Sequence, residues 1–258
     1  MRLLLVDAGN TTLRACAARQ GRPGPAHIGP SSQLGDPRSA LDEWLESQAP
    51  FAEGACLAIG REAWRGSVRE RLRRLGCPRV FFVDHDGPLP FRIHYTPGAR
   101  TGADRIANIA AMRSFGGGPA VAVDFGTATN IDVLGPEGDF LGGAILPGAR
   151  VALEALRERT AGRLPIPEPG DPAPAIGHST AECLALGGWQ GHLRAVEGIV
   201  ADVWRALGVG STPLHLTGGL AQDLAPSFRL PHRVDAELTL RGLAALWESV
   251  GRAHAEAP

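Results

Sequence analysis

The chain contains 258 residues, of which 44% are hydrophobic and 21% charged, and its formal net charge is −1. This length and composition predict a globular protein of one large or two ordinary domains. The near-zero charge, without a basic block interleaved with aromatic residues, argues against binding to nucleic acid or to a membrane surface.

The first half of the chain predicts strands that alternate with helices. An apolar strand at 2–6 leads into a turn, LRACAARQG indicates a returning strand, and SALDEWLESQ has helical spacing. ACLAIG and RVFFVD are typical of strands, and the Arg-rich stretch between them, REAWRGSVRERLRRLG, is amphipathic. ADRIANIAAMRS, at 103–114, predicts a helix that ends at the glycines of 116–118. These glycines mark the predicted boundary between two domains, residues 1–115 and 116–258.

The second half begins again with strand, turn and strand. AVAVDFGTATNIDVLGPEGDFLGGAIL predicts three strands with turns at GTAT and PEGD, and VALEALRERT predicts a helix. A Pro-rich loop, LPIPEPGDPAPA, precedes a long helical stretch at 179–207, a strand at 213–217, a GG turn and a terminal helix near 239–252. Both halves are therefore expected to mix strands with helices.

Two segments near the start of these halves are alike. LLLVDAGNTT, at 3–12, and VAVDFGTATN, at 121–130, both place an apolar run before an Asp, a Gly and several hydroxyl residues. The matching pairs, each 117 positions apart, are Asp7 with Asp124, Gly9 with Gly126, and Thr12 with Thr129. The repeat predicts two similar α/β domains that face one another, with the two turns opposed across a cleft that binds a small ligand.

Turns rich in Gly and Thr can bind phosphate, because they present backbone N–H groups and hydroxyls in a concave array. This mode of binding suits a chain whose 26 Lys and Arg residues are all arginine. The aspartate of each turn can face a cation or its water shell. The open alternative is that the Asp and Gly residues only build hairpin turns.

Cysteine spacing and the N-terminal segment bear on metal sites and location. The four cysteines are scattered without the spacing of a zinc site, which predicts buried thiols; they are Cys16, Cys56, Cys77 and Cys183. HDG, at 85–87, predicts a turn at a strand end rather than a metal site. The apolar stretch before Asp7 is too short for a signal peptide, and no later run reaches the roughly 18 apolar residues of a membrane-spanning helix. We therefore expect a cytoplasmic protein.

Motifs spread over most of the chain resemble those of one enzyme family. They are DAGNT at 7–11, the tyrosine and GADR of HYTPGARTGADR, DFGTAT at 124–129, GGAILPG at 142–148, the threonine of IGHSTAECLALGG, and TGG at 217–219. The chain resembles the type III pantothenate kinases, within the superfamily of actin, sugar kinases and Hsp70. The resemblance implies an α/β fold of two similar ribonuclease H-like domains, the actin-like ATPase fold, with the active-site cleft between them.

The resemblance implies an activity as well as a fold. The family uses ATP to phosphorylate pantothenate on its primary hydroxyl, the first committed step toward coenzyme A. It acts as a homodimer and needs a divalent cation such as Mg²⁺ and a monovalent cation, K⁺ or NH₄⁺. Apolar positions in VALEALRERT and in 179–207 give the dimer only loose support, because they can equally pack inside one subunit.

The resemblance further implies which residues bind the nucleotide and the cations. The nucleotide-binding residues are Asp7, Gly9, Asn10, Thr11, Thr12, Gly126, Thr127, Gly218 and Gly219. Asp7 is expected to orient Mg²⁺ through water, since that ion keeps several waters. Asp124 matches the family's ligand for the monovalent cation, which would separate its carboxylate from the phosphates. Without the resemblance, TGG would equally indicate a turn after a strand.

For the acceptor, the resemblance implies that Asp104 is the catalytic base that takes the hydroxyl proton. The substrate-binding residues that it implies are Tyr95, Gly102, Ala103, Asp104, Arg105 and Thr180. Local sequence alone also allows helix caps at Asp104 and Thr180. In that case Arg105 would be an ordinary surface residue and Tyr95 a packed ring.

Some positions depart from the family's pattern, and two other functions stay open. Asn130 stands where another threonine is common, CLAIGREAW replaces a Ser-rich strand end, and His178-Ser179 replaces Arg-Asn. The alternatives are a kinase of another small hydroxylated acceptor on the same fold and a non-catalytic regulatory relative, such as a transcription accessory factor. The presence of catalytic-type residues favours an enzyme, and the lack of a basic DNA-reading segment disfavours direct DNA binding; those residues are Asp104, Asp124 and Thr127.

Overall fold

The structure is a computed structural model that describes residues 2–36 and 38–258. Contacts divide the chain into two compact units. The first unit runs up to Gly117 and also includes Gly138–Phe140 and Glu237–Pro258. The second unit comprises Gly118–Glu137 and Leu141–Ala236. The chain therefore leaves the first unit and returns to it twice.

Strands and helices occupy the following ranges in the described part of the chain. The strands are β1 (Leu3–Ala8), β2 (Thr12–Ala18), β3 (Ala26–Pro30), β4 (Gly54–Ile59), β5 (Val80–Phe82), β6 (Ala120–Phe125), β7 (Ala128–Leu134), β8 (Phe140–Pro147), β9 (Leu214–Thr217) and β10 (Arg233–Val234). The α-helices are α1 (Ala40–Gln48), α2 (Glu62–Arg74), α3 (Ala103–Ser114), α4 (Ala149–Arg159), α5 (Thr180–Leu184), α6 (Gly191–Ala206), α7 (Ala221–Leu224), α8 (Leu238–Leu246) and α9 (Arg252–His254). Short 3₁₀ helices span Ser31–Leu34 and Ala225–Ser227, and π-helical segments span Ala185–Gln190 and Trp247–Gly251.

Each unit contains a mixed five-stranded sheet, and the two sheets have the same topology. Their strand orders are β3-β2-β1-β4-β5 and β8-β7-β6-β9-β10. In each sheet the first strand in sequence pairs antiparallel with the second and parallel with the fourth. β1 and β6 also share a burial pattern, with four buried residues, a half-buried aspartate and a buried sixth residue. The predicted α/β class with two similar domains is confirmed.

The central strands are apolar because helices cover both faces of the sheet in the first unit. One face packs against α1 and α2, and its core includes Leu4, Val6, Leu41 and Leu72. The other face contacts α3 and α8. In the second unit, residues of β6, α4, α6 and β9 form one apolar core cluster. Each unit thus has a hydrophobic core of its own.

The C-terminal segment packs in the first unit through close contact between α3 and α8. A Cβ at Gly242 would lie 1.7 Å from the carbonyl oxygen of Ala107. The buried hydroxyl of Thr239 donates to Oδ1 of Asn108 at 2.9 Å. The structure therefore differs from the predicted division at residues 115 and 116, because α8 follows the second unit in sequence yet packs on α3 in the first.

Two further features differ from the sequence predictions. β3 and β10 were not predicted; each is a short strand at the edge of its sheet. Cys16, Cys56 and Cys77 are buried, but Cys183 is exposed. Burial raises the pKa of the Cys16 thiol to about 12, which keeps it protonated.

Over residues 2–36 and 38–258, the structure contains no helix long and apolar enough to span a membrane.

Candidate active site

The turn between β1 and β2 carries the first set of predicted nucleotide-binding residues. Asp7 is half-buried next to the end of β1. The Gly9 N–H donates to the carbonyl of Thr12 at 3.1 Å, and the carbonyl of Thr11 accepts the N–H of Ser31 at 2.9 Å. The exposed residues of this turn are Asn10, Thr11 and Thr12. The backbone of the turn is therefore anchored, while its polar side chains face outward.

The turn between β6 and β7 is one residue shorter than the first turn. Ala8 pairs with Leu13 across the first turn, and Phe125 pairs with Thr129 across the second. Thr129 thus takes the paired position of Leu13, not that of Thr12. The predicted equivalence of Thr12 and Thr129 is wrong, because a one-residue difference in turn length shifts the register of the returning strand.

Gly148, from the GGAILPG motif, lies against one side of the second turn. Its N–H donates to the carbonyl of Thr127 at 3.0 Å. A Cβ at Gly148 would lie 2.4 Å from the carbonyl oxygen of Gly126. Because a trans peptide directs its C=O and the following N–H in opposite directions, the N–H groups of Thr127 and Ala128 point away from Gly148. Two successive N–H groups directed to one side can bind an anion.

The TGG motif follows β9, beside Asp124 in the sheet. Thr217 pairs with Asp124, and its buried hydroxyl oxygen has no hydrogen-bond partner among the described residues. Gly218 has φ +91°, and a Cβ there would lie 2.4 Å from Oδ1 of Asp124 and 2.6 Å from the backbone N of Phe125. At Gly219, nothing lies within 4 Å of an added Cβ. Gly218 is therefore required by contacts within the protein, whereas Gly219 leaves open space.

Helix α3 begins at the GADR motif. The capping position is Gly102, and Asp104 lies in the first helical turn. A Cβ at Gly102 would lie 2.3 Å from Oδ1 of Asp104, so the carboxylate folds back over this glycine. Asp104 is therefore not the N-cap residue, although its charge in the first turn is favoured by the helix dipole.

Arg105 is buried beside Asp104, and the alternative of an ordinary surface arginine is wrong. Its Nη1 donates to the phenolic oxygen of Tyr95 at 2.8 Å. Its guanidinium carbon lies 5.5 Å from the ring centroid of Phe140, and the rings of Tyr95 and Phe140 are also 5.5 Å apart. The structure thus brings together the tyrosine and the arginine of the predicted acceptor site.

The loop from β5 to α3, which contains Tyr95, is anchored near both of its ends. Asp84 accepts hydrogen bonds from Arg65 at 2.9 Å and from Arg100. Partial burial opposes ionisation of Asp84, but the hydrogen bonds and the arginine charges hold its pKa below the usual value. At the far end of the loop, the N–H of Thr101 donates to Nδ1 of His85 at 3.4 Å. These contacts fix the approach to the first turn of α3.

Thr180 lies in the second unit as the first residue of α5. Ser179 is the N-cap, since its Oγ accepts the N–H of Glu182 at 3.2 Å. The carboxylate of Glu182 accepts the N–H of His178, the residue before the cap, at 2.7 Å. The alternative that Thr180 caps the helix is therefore wrong, and its exposed side chain has no capping role.

His192, which sequence analysis did not single out, contacts the base of the second turn. Its Nε2 lies 2.9 Å from Oγ1 of Thr129, and its ring packs on Phe125 with centroids 6.2 Å apart. Burial lowers the pKa of this imidazole. No local pattern marks His192, because it is separated by 63 positions from the threonine that it contacts.

Known structures resemble the fold over nearly its full length. A protein described as a conserved putative Baf family transcriptional activator from Campylobacter jejuni has a TM-score of 0.60 and 21% identity, covering 95% of this chain and 97% of its own. A ROK family glucokinase from Streptomyces griseus, in complex with glucose and AMPPNP, has a TM-score of 0.55 and 12% identity, covering 95% and 99%. At these identities, the likeness shows only the fold that actin-like ATPases and sugar kinases share.

Sequence relatives are closer. A protein named Type III pantothenate kinase from Koribacter versatilis (strain Ellin345) is 37% identical over 177 residues, a match that covers 67% of this chain and 64% of that protein, just under two thirds of its length. A protein of the same name from Chlorobaculum parvum (strain DSM 263 / NCIMB 8327) is 33% identical over 250 residues, covering 93% of this chain and 92% of that protein. The family model described as type III pantothenate kinase matches residues 3–202. With most of its length matched by that model, the chain belongs to the type III pantothenate kinase family.

Proposed function

We propose that this protein uses ATP to phosphorylate pantothenate to 4'-phosphopantothenate, the first step of coenzyme A biosynthesis. The family and the names of the relatives support this proposal. The structural observation that carries it is the start of α3. There the Asp104 carboxylate lies in the first helical turn, next to a buried Arg105 that is held by Tyr95.

The acceptor site that we propose matches the chemistry of pantothenate, which has a primary hydroxyl and a carboxylate. A carboxylate such as that of Asp104 can accept the hydroxyl proton and orient the oxygen for attack. The planar guanidinium of Arg105 suits a carboxylate partner. The remaining residues proposed for substrate binding are Tyr95, Gly102, Ala103 and Thr180.

For the nucleotide, we propose that phosphate oxygens bind the polar groups of the two turns. Phosphoryl transfer depends mainly on positioning and charge stabilisation, so rigid donors are what the site must supply. In the second turn these donors are the N–H groups of Thr127 and Ala128, with the exposed hydroxyl of Thr127. In the first turn the proposed residues are Asp7, Gly9, Asn10, Thr11 and Thr12.

The residues around Asp124 fit a monovalent cation, K⁺ or NH₄⁺. A carboxylate and the buried, unpartnered hydroxyl of Thr217 are the types of oxygen that such an ion binds. When bound, the cation would neutralise part of the charge between Asp124 and the phosphates. Across residues 2–36 and 38–258, no group of three or more His, Cys, Asp or Glu residues could hold a metal ion. Mg²⁺ commonly binds through one or two carboxylates together with substrate phosphates, and Asp7 is the carboxylate that we propose for it.

The direct test is an assay of ADP formation with and without pantothenate, at saturating ATP, Mg²⁺ and K⁺. We expect pantothenate-dependent turnover. Asp104→Asn should lower kcat by about 10²-fold and leave nucleotide binding intact. Asp202→Asn, at an exposed position on α6, is the matched control and should behave like the wild type. A near-normal kcat for Asp104→Asn would remove the catalytic assignment.

The same assay separates the rival functions. If another hydroxylated compound gives a higher kcat/KM than pantothenate, the chain is a kinase of that acceptor. If no acceptor supports turnover, the regulatory alternative gains weight, which the likeness to the protein described as a transcriptional activator keeps open.

We also propose that the protein acts as a cytoplasmic homodimer. An interface between two copies would bury exposed apolar side chains of the kind that the second unit carries; those that are exposed there include Leu141, Ile145, Leu156, Ile176 and Val234. Sedimentation at the assay concentration tests the dimer. A fully active monomer would contradict it.

A further inference from the structure

One imidazole contacts both residues that close the second turn. Phe125 and Thr129 pair across this turn, and Thr129 is buried. Nε2 of His192 lies 2.9 Å from Oγ1 of Thr129, and the same ring packs edge-on against Phe125 at an interplanar angle of 62°. A single side chain of α6 therefore contacts the base of the loop that presents the N–H groups of Thr127 and Ala128.

The helix that carries His192 is itself firmly placed in the second unit. The π-helical segment Ala185–Gln190 directly precedes α6, and such segments are frequent at functional sites. Within this segment, Nε1 of the buried Trp189 donates to the carbonyl of Pro167 at 3.0 Å. A Cβ at Gly188 would lie 2.5 Å from Cδ2 of Leu153, so the segment packs tightly on α4. The imidazole is thus held from a rigid part of the core.

A neutral imidazole suits this contact. Burial lowers the pKa of His192, and in its neutral form the ring has one donor nitrogen and one acceptor nitrogen. Whichever tautomer is present, one hydrogen bond to the threonine hydroxyl forms.

We propose that His192 is a positioning residue for the nucleotide, which holds Thr129 and thereby fixes the spacing of the N–H groups in the second turn. This inference rests on the proposed function, because it assumes that the turn binds ATP phosphates. Donors that are preorganised at the correct spacing bind charge without the cost of rearrangement. When the contact to His192 is lost, the turn keeps its backbone hydrogen bonds and the contact of Phe125 with Phe228 but loses the side-chain hydrogen bond of Thr129. The affinity for nucleotide then falls, while the acceptor site keeps its structure.

The test compares two variants at each of the two positions. Thr129→Ser keeps the hydroxyl and Thr129→Val removes it with little change in volume. His192→Gln keeps a polar group near the position of Nε2, whereas His192→Phe keeps a ring against Phe125 and loses the hydrogen bond. The readouts are the Kd for a non-hydrolysable ATP analogue with Mg²⁺, the KM values for ATP and pantothenate, and the thermal midpoint. His254→Phe, an exposed position on α9, is the control for replacing a histidine.

We expect Thr129→Val and His192→Phe to raise the Kd and the ATP KM by about three- to tenfold, the scale of one lost neutral hydrogen bond. The pantothenate KM should stay within twofold of the wild-type value. Thr129→Ser and His192→Gln should restore most of the nucleotide affinity. In the double variant Thr129→Val/His192→Phe the two effects should not add, because both remove the same contact.

If His192 only packs in the core, the two variants at position 192 should rank the other way round in nucleotide affinity. In that case His192→Phe would bind nucleotide like the wild type, and His192→Gln would lose thermal stability. That order, or an equal Kd in all variants, would overturn the proposal. The analogue Kd also separates this inference from the proposed function. Normal nucleotide binding without turnover of pantothenate would refute the proposed reaction alone, whereas a wild type that binds no nucleotide would refute both.

Discussion

Replacing Gly218 with alanine should destabilise the second unit and weaken nucleotide binding. The added Cβ would lie 2.4 Å from Oδ1 of Asp124 and 2.6 Å from the backbone N and O of Phe125. Ordinary van der Waals contact is about 3.5 Å, so these groups must separate by about 1 Å. Overpacking of this kind costs about 1–3 kcal/mol. At φ +91°, alanine adds about 1–2 kcal/mol of backbone strain. Together these terms should lower the free energy of unfolding by about 2–5 kcal/mol.

Gly219→Ala is the matched control, because the two glycines are adjacent and only one is crowded. Nothing lies within 4 Å of a Cβ at Gly219, so the free energy of unfolding should change by no more than about 0.5 kcal/mol. The resemblance implies that Gly219 binds the nucleotide, and in that case Gly219→Ala should nevertheless raise the ATP KM. Gly218→Ala should change both quantities, since it displaces Asp124.

The assay is urea unfolding with linear extrapolation, combined with steady-state kinetics in ATP. The expected result is a lower unfolding midpoint for Gly218→Ala alone and a raised ATP KM for both variants. Equal midpoints for the two variants would refute the crowding argument. An unchanged ATP KM for Gly219→Ala would remove that residue from the nucleotide site.

Three further predictions follow from other contacts. Gly242→Ala should lower the free energy of unfolding by about 3 kcal/mol, because its Cβ would lie 1.7 Å from the carbonyl oxygen of Ala107. An unchanged denaturation midpoint would contradict the packing of α3 on α8. Gly102→Ala should leave the denaturation midpoint nearly unchanged but lower kcat by about tenfold or more. The reason is that its Cβ would lie 2.3 Å from Oδ1 of Asp104 and would push the carboxylate aside. A normal kcat would count against Asp104 as the base. Replacing K⁺ with Na⁺ should raise the ATP KM, and Asp124→Ala should abolish the difference in ATP KM between the two salts. Equal ATP KM values in K⁺ and Na⁺ for the wild type would leave Asp124 as a turn residue.

Much of the local structure could be predicted from the sequence, because strand and helix patterns depend on short-range periodicity. The predicted helix at 103–114 has the observed bounds of α3. The repeated apolar run before an aspartate correctly indicated β1 and β6. Edge strand β3 was missed, since its five residues, AHIGP, include Gly and Pro and show no buried alternating face.

Motifs in the sequence predicted the site residues, but the burial and the hydrogen-bond partners of these residues depend on contacts between segments distant in sequence. Local sequence left Asp104 open as a helix cap and Arg105 as a surface residue. The structure places Gly102 at the cap and buries Arg105 against Tyr95. Nothing in TGG distinguishes its two glycines, and only the neighbouring end of β6 makes Gly218 obligatory.

The sequence by itself therefore determined the α/β class, the internal repeat and the motifs that identify the family, because each depends on residue types at short or fixed spacings. Tertiary structure alone decided that α8 returns to pack on α3, that the second turn is one residue shorter than the first, and that His192 contacts Thr129. The physical reason is that periodicity shows which face of an element is apolar but not which distant element covers it. The partner is fixed only by steric fit when the whole chain folds.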